Sequence, residues 1–228
     1  MKKRTIGMAA AALCLLANTA TADGATPSAS TPRGFRELLT KDNKSQGLFA
    51  GPHASQEVMQ FLKQKGIKTI ISLQTISENL AWNREFDPRA WLQGESPEHR
   101  WAQAAKMNFI RKSWNAAVTV PATYTNDVAK TIAALLKDPS KSPVYVHCQY
   151  GMDRTGVAVA AHRVMNEKWT PKEAFYEWRN TTGRCALSNG QFDKSFNNMV
   201  TGMKATAKPG DTQYDFQIAP VKADCMKQ

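Results

Sequence analysis

The sequence has 228 residues, 42% of them hydrophobic and 21% charged, with a formal net charge of +11 at pH 7. That length suits one domain with a sizeable core, and that balance reads as an ordinary soluble globular protein rather than a disordered or membrane-embedded one. The basic charge favours anionic partners or simply solubility, and without a dense Lys/Arg block interleaved with aromatics it does not mark a nucleic-acid surface.

The first 22 residues read as a secretory leader. Lys2, Lys3 and Arg4 form a basic start, Ile6 to Ala17 a short apolar run, and Ala20-Thr21-Ala22 a cleavage site. The run is too short to span a membrane, and no other stretch is long and apolar enough. Cys14 follows Leu13 inside that run and does not suggest a lipid anchor. Cleavage after Ala22 would remove three positive charges and take the net charge from +11 to +8. The expected location is periplasmic or secreted. Three cysteines would remain: Cys148, Cys185 and Cys225. In an oxidising compartment the simplest arrangement pairs Cys185 with Cys225 and leaves Cys148 free; the alternative is that Cys185 and Cys225 are both reduced or capped.

Residues 23–33, rich in Ala, Ser, Thr and Pro, read as a flexible linker. Leu48 to Ser55 suggests a short strand and turn. Ser55 caps a helix over Gln56 to Lys65 that stops at Gly66. Ile67 to Gln74 is a continuous β-branched run, expected as a buried strand. The segment Thr75 to Met107, with Trp82, Trp91, Trp101, Pro88 and Pro97, is an insertion or a lid. Within it, Ser96-Pro97-Glu98 marks a helix start. Phe109 to Trp114 reads as a strand and Asn115 to Pro121 as a loop. Ala122 to Lys137 has helical spacing, and Pro143 to His147 is the next strand. Helices are then expected over Thr155 to Trp169, from Thr170 to Asn180, and over Ser188 to Ala205, with an irregular tail from Lys208. Strands alternating with helices define an α/β fold around a central, mainly parallel sheet flanked by helices. There is no internal repeat.

The stretch PVYVHCQYGMDRTG, Pro143 to Gly156, carries the chemistry. A buried strand ends at Cys148, the loop runs from Gln149 to Arg154, and a helix begins near Thr155. Backbone N–H groups and the positive end of the helix dipole converge on one point, which is an anion site. Gly151 lets the loop curl and Gly156 lets the helix pack closely. Arg154 offers a two-pronged donor for phosphate oxygens. The positive surroundings favour a Cys148 thiolate, poised for in-line attack on a bound phosphoryl group.

His147-Cys148-x-x-Gly151-x-x-Arg154-Thr155-Gly156 resembles the signature of the cysteine-dependent protein tyrosine phosphatase superfamily. Residues about 48 to 180 resemble the core of a small bacterial dual-specificity phosphatase. The resemblance implies a hydrolase that forms a phosphocysteine and needs no metal or other cofactor. Cys148 would be the nucleophile and Arg154 would bind phosphate and transition state. The backbone of Gln149, Tyr150, Gly151, Met152, Asp153 and Arg154 would cradle oxygens. Thr155 would steady the thiolate, and His147 would orient the loop. The division implied is a phosphatase domain over 34–204 and a C-terminal tail over 205–228.

The general acid departs from the common pattern. Where many relatives place an aspartate on the loop after the third strand, this chain has Asn115, and Asp127 falls in the following helix. Asp153 is the better candidate, either as the acid that protonates the leaving oxygen or as an orienter of Arg154 and the loop. Met152 stands where lipid-directed relatives often carry lysine. Tyr150 reads as a pocket wall, Trp114 as a stacking surface or core, and Gln191 as a candidate to position water. His53, His99 and His162 show no metal-ligand spacing and read as surface or structural. Glu95, Glu98 and Arg100 read as a solvated helix start, and Lys106, Arg111 and Lys112 as a phosphate-attracting patch or a solvated strand edge.

The function expected is therefore an exported phosphatase acting on phosphorylated protein, lipid or inositol phosphate. The alternatives are a catalytically weak phosphate-binding module, an inositol polyphosphate phosphatase, and a sulfur-transfer protein. Arg154, Thr155 and His147 argue against the last of these.

Overall fold

The computed structural model describes residues 30–83, 95–182 and 190–216. The segment read as a leader, Trp91, Pro88, Ser188, Cys185 and Cys225 lie outside the described residues, and with them the expected disulfide.

Five strands form one sheet: β1 (Arg36–Glu37), β2 (Leu48–Gly51), β3 (Thr69–Ser72), β4 (Asn108–Arg111) and β5 (Val144–His147), in the order β1-β2-β5-β3-β4. All neighbours are parallel except the short β1, which runs antiparallel to β2. Between them lie helices α1 (Gln56–Gln64), α2 (Ile76–Asn83), α3 (Pro97–Ala104), α4 (Ala122–Lys137), α5 (Asp153–Asn166), α6 (Pro171–Thr182) and α7 (Gly190–Thr206). This is the expected mixed α/β architecture.

The central strand has a helix layer on each face, so β3 and β5 are buried along their whole length. Alternation along β5 divides its residues between the layers. Val144 and Val146 join Val128 and Ile132 of α4 and Ala158 and Val159 of α5. Tyr145 joins Met59, Phe61 and Leu62 of α1 and Ala102 of α3. His147 shares the Tyr145 face, and its ring stacks on that of Tyr145 at 5.5 Å. A third cluster lies beyond α5, where Val157, Ala160 and Ala161 meet Phe175 and Trp178 of α6 and Phe196 and Met199 of α7. Small side chains let α5 serve this cluster and the one around Val144 and Val146.

Several elements differ from the sequence reading. β4 ends at Arg111 rather than Trp114, although the Lys112 and Trp114 N–H groups still bond the carbonyls of Ser72, the last residue of β3, and of Leu73 just after it. It is an edge strand, half-buried throughout, so only one side supplies a ladder. α2 was not expected. Its start is a capping box, with Thr75 Oγ1 accepting from the Glu78 N–H at 3.2 Å and Glu78 Oε2 accepting from the Thr75 N–H at 3.0 Å. The Thr-x-x-Glu spacing was present in the sequence as a signal. The same device starts α6 at Thr170 and Glu173. α5 begins at Asp153, two residues early, and ends at Asn166, before Lys168 turns to φ +60°. The tail holds a 3-10 turn over Thr212–Tyr214, and Phe216 packs on Phe175 with ring centroids 5.6 Å apart. No helix among the described residues is long and apolar enough to cross a membrane.

Candidate active site

The loop after β5 leaves the carboxyl end of the central strand, flanked by β2 and β3. In parallel α/β sheets this edge is where ligands bind. Cys148 is the first residue after β5, which ends at His147 rather than at Cys148 itself, and is a free thiol at 3% exposure.

The loop's carbonyls are tied away one by one. The Cys148 oxygen lies 3.1 Å from His147 Nδ1. The Gln149 carbonyl accepts from the His53 N–H at 3.0 Å. The Gly151 carbonyl accepts from Arg36 Nη2 at 2.9 Å, and the Met152 carbonyl from Trp178 Nε1 at 3.0 Å. Because a trans peptide holds its C=O and N–H on opposite sides, securing carbonyls outward turns the intervening N–H groups inward. The product is a nest of donors at the N-terminus of α5, suited to an anion.

Two glycines make this curl possible. Gly151 has φ +70°, and a Cβ there would fall 2.2 Å from the Gly51 carbonyl oxygen. Gly156 needs no unusual torsion, but a Cβ would fall 1.9 Å from Trp178 Cδ1.

A pocket of about 270 Å³ opens over this nest, lined by Cys148, Gln149, Tyr150, Asp153 and Arg154 from the loop, together with Ala116, Gln191 and Phe192. Cys148, Asp153 and Arg154 therefore face one space. Arg154 is 3% exposed, and its Nη1 donates to the Trp114 carbonyl and to Glu78 Oε2, both at 2.7 Å, with the Leu73 carbonyl at 3.4 Å. All three contacts use one terminal nitrogen, Nη1. Burying Arg154 without such acceptors would be costly.

The remaining expected site residues fall as follows. Tyr150 is half-exposed at the pocket rim. Met152 precedes α5, and its backbone is the point held by Trp178. Thr155 is fully buried, and its Oγ1 makes no hydrogen bond among the described residues, so the structure does not draw its bond to the Cys148 sulfur. Gln191 lines the pocket and donates from Nε2 to the Ala116 carbonyl at 2.7 Å. Trp114 is core: it is 1% exposed, packs against Tyr124 and Phe192, and donates to the Val118 carbonyl. Asn115 accepts from the Ala117 N–H to form a turn. Asp127 lies in α4 and pairs with Lys112 at 2.7 Å, away from the pocket.

Glu98 overturns its sequence reading. It is fully buried rather than solvated, because α3 lays its first turn over the sheet face that carries Ser72 and His147, which are register partners. Its Oε2 accepts from Ser72 Oγ at 3.0 Å and Asn79 Nδ2 at 2.9 Å, and its Oε1 lies 2.6 Å from His147 Nε2. Burial alone would push its carboxyl up, but the His147 charge and hydrogen bond, with His53 and Ser72, outweigh burial and hold it below the usual range. His53, buried with Nδ1 2.6 Å from Gln74 Oε1, completes a His53–Glu98–His147 cluster whose ligand-type atoms lie within 4.8 Å of one another. The sequence reading found no metal spacing at His53 because its partners are remote in the chain. Arg111 is likewise no free patch: it donates to Ser96 Oγ and lies over the Phe109 ring.

Arg36, Glu78, Glu98 and Trp178 were missed as site-supporting residues. Only Glu78 and Trp178 carried a local signal, the capping box and a helical spacing.

Fold and loop together define a cysteine phosphatase of the dual-specificity type. The family described as DSP-PTPase phosphatase fused to NAD+ kinase matches residues 25–198, and the chain belongs to that family. No curated protein matches the chain. Among solved structures, kinase associated phosphatase (KAP), with its catalytic-site cysteine replaced by serine, is 18% identical. It aligns over 78% of this chain and 99% of its own, with a TM-score of 0.59. The active form of Tk-PTP is 10% identical over 67% of this chain and 90% of its own, with a TM-score of 0.51. The core catalytic domain of the PP-IP phosphatase SIW14 from S. cerevisiae is 18% identical over 78% and 96%, with a TM-score of 0.49. At these identities the likeness is one of fold.

Proposed function

We propose that the protein is an exported phosphatase that hydrolyses phosphomonoesters of protein side chains through a phosphocysteine, with Asp153 as general acid. The observation that carries this reading is the shared pocket: Cys148, Asp153 and Arg154 line one space of about 270 Å³ above a loop whose carbonyls are tied outward.

The free edge of Arg154 and the inward N–H groups hold three phosphoryl oxygens. The Cys148 sulfur attacks phosphorus in line, forming the S–P bond as the bond to the leaving oxygen breaks. The Asp153 carboxyl gives its proton to that oxygen. A water, positioned by Gln191, then attacks phosphorus and returns a proton to Asp153. The S–P bond breaks, freeing phosphate and the thiolate. Thr155 Oγ1, buried and without a hydrogen-bond partner among the described residues, supplies a donor to the departing sulfur.

The pocket lining favours a single phosphate on an aromatic or protein-like carrier. Among its described lining residues Arg154 is the sole cation, and Tyr150 and Phe192 supply rings beside it. A polyanionic inositol polyphosphate would demand more positive charge than this. The leader supports export.

Phosphate release from phosphotyrosine and phosphoserine peptides, phosphoinositides and inositol hexakisphosphate, without metal, tests this. Wild type is expected to turn over phosphotyrosine peptide fastest, Cys148→Ser to lose turnover, and Asp153→Asn to lose most on esters with poor leaving groups. Phospholigand binding without turnover on any substrate would overturn the enzyme reading in favour of a binding module. Preferential release from inositol hexakisphosphate would overturn the substrate. Cell fractionation and N-terminal sequencing of the mature chain test export.

A further inference from the structure

The helix layer formed by α1 and α3 carries a second concavity, separate from the pocket above the loop. Gln56, Met59, Gln60 and Lys63 follow the three- and four-residue spacing of one helix face along α1. Trp101, Ala104 and Ala105, from the end of α3, face them across a groove of about 200 Å³. Its floor is apolar: Met59 is buried, and Trp101 is half-buried against the cluster of Phe61, Ala102 and Tyr145. Ala104 is exposed and adds only a methyl group to the wall. Among the described residues that line the groove, none is acidic.

The two ends of the groove differ. At one end Gln56 opens α1, three residues after His53, whose N–H holds the carbonyl of the pocket-lining Gln149 at 3.0 Å. At the other end, where both helices stop, lysines gather. Lys63 lines the groove, Lys65 caps α1, Lys106 follows Ala105 and Lys68 leads into β3, and all four are exposed. The Asn108 N–H bonds the Lys68 carbonyl at 2.8 Å, which brings the two turns together, and Lys141 Nζ reaches Asn108 Oδ1 at 3.2 Å. Asp138, the carboxylate in the field of Lys141 and Lys68, already accepts from the Ser140 N–H and hydroxyl. Glu57 lies at the opposite end of α1, outside the groove-lining row.

We propose that the groove between α1 and α3 docks a short acidic, amphipathic segment of the phosphoprotein substrate, away from the phosphorylated residue itself. The inference rests on the reading of the substrate as a protein. The floor takes apolar side chains of the segment, and the lysines meet its carboxylates, with their stems lying on apolar surface and their charges in water. The shape and the charge together select this occupant. A bilayer surface meets the lysines but is too flat to fill a concave floor, and a nucleic acid leaves that floor uncovered. A pocket with one cation among its described lining residues reads little beyond the phosphate. The groove adds a second contact, which raises the concentration of the phosphorylated residue at the pocket. Because the lysines are exposed, the attraction is expected to weaken as salt rises.

The experiment compares two phosphotyrosine peptides in steady-state kinetics on the full chain. One is short and uncharged around the phosphotyrosine. The other adds a Glu-rich helical segment, with leucines on one face, after a Gly/Ser linker of about ten residues that reaches roughly 18 Å. The extended peptide is expected to show about tenfold higher kcat/KM, gained through KM, and to lose that advantage near about 1 M salt. The Lys63→Glu/Lys106→Glu double variant, and separately Ala104→Glu, are expected to bring the extended peptide down to the short one. Turnover of the short peptide should not change in either, which also shows that the variants fold. Equal kcat/KM for the two peptides on wild type, or an advantage that survives both variants, would overturn the proposal. Turnover of neither peptide would count against the protein-phosphatase reading instead. Docking is then read from the fluorescence anisotropy of the labelled acidic segment without phosphotyrosine. Binding to wild type and not to the double variant supports the proposal, and no binding, or equal binding to both, overturns it. Lysine-dependent sedimentation with phosphatidylglycerol vesicles, without binding of the acidic segment, would assign this face to a membrane and overturn it too.

Discussion

The indole of Trp178 lies directly against Gly156, where a Cβ would fall 1.9 Å from Cδ1, and its Nε1 donates to the Met152 carbonyl at 3.0 Å. One side chain of α6 thus fills the space left by a glycine and fastens the loop that precedes it. Gly156→Ala should displace the indole and lower stability by about 1–3 kcal/mol, as overpacking does. Trp178→Phe should retain much of the packing but lose the bond to Met152, at about 1 kcal/mol. Urea midpoints check both, and each variant is expected to lose turnover beyond its loss of stability, because Met152 adjoins the pocket.

Arg36 reaches across the chain to the loop, with Nη2 2.9 Å from the Gly151 carbonyl. Burial lowers its pKa, opposed by the fields of Glu177 and Cys148. Arg36→Met is expected to free the Gly151 carbonyl and blur the cradle. kcat should fall about tenfold, equivalent to the loss of one charged hydrogen bond of roughly 1.5 kcal/mol. Steady-state kinetics on the preferred ester measures this, and unchanged kcat would show that the loop holds its shape without Arg36.

Arg154 binds its three acceptors through one terminal nitrogen. Lysine cannot both satisfy them and present a second edge to phosphate, because its ammonium is a single point of charge. Arg154→Lys is expected to lower kcat/KM on the order of 10²–10³-fold, the scale of losing a preorganised transition-state donor. Retention of near wild-type kcat/KM would contradict the role given to this residue.

Stability should fall in acid through Glu98. Its folded-state pKa is depressed, so its contribution is fully present above the unfolded value of about 4.3 and is lost as pH falls through the folded value. Glu167, held low by His162, Gln46 and Arg163 against the effect of burial, adds in the same direction. Urea midpoints from pH 7 down to pH 3 should drop for wild type and drop less steeply for Glu98→Gln. Parallel curves would show that Glu98 is not ionised in the folded protein.

Much of this architecture was legible from short-range pattern. α1 appeared where expected because Ser55 caps it and Gly66, at φ +74°, follows its end. α4 matches its periodic apolar face, with Val128 and Ile132 buried. β3 and β5 stood out as continuous apolar runs because both faces are covered. What escaped was either locally ambiguous or decided by distance. α2 had a capping box but no clean apolar period, and β1 is two residues long. Trp114 was poised between a substrate wall and core until Phe192 and Tyr124 were seen to enclose it.

The sequence by itself determined the phosphatase signature, since His147 to Gly156 is one contiguous stretch whose strand, loop and helix follow from local propensity, glycine placement and the helix terminus. Tertiary structure decided which remote groups make that loop a site. Arg36 meets Gly151 from 115 positions away, and Glu78 meets Arg154 from 76. Glu98 changed from an apparent surface charge to a sealed carboxylate because α3 crosses the β3–β5 pair where Ser72 and His147 share a face. Such pairings carry no local signal. Each is a buried polar group whose partner exists only once the sheet has aligned and the helices have closed over it, and it is the cost of leaving that group unpaired that selects the partner.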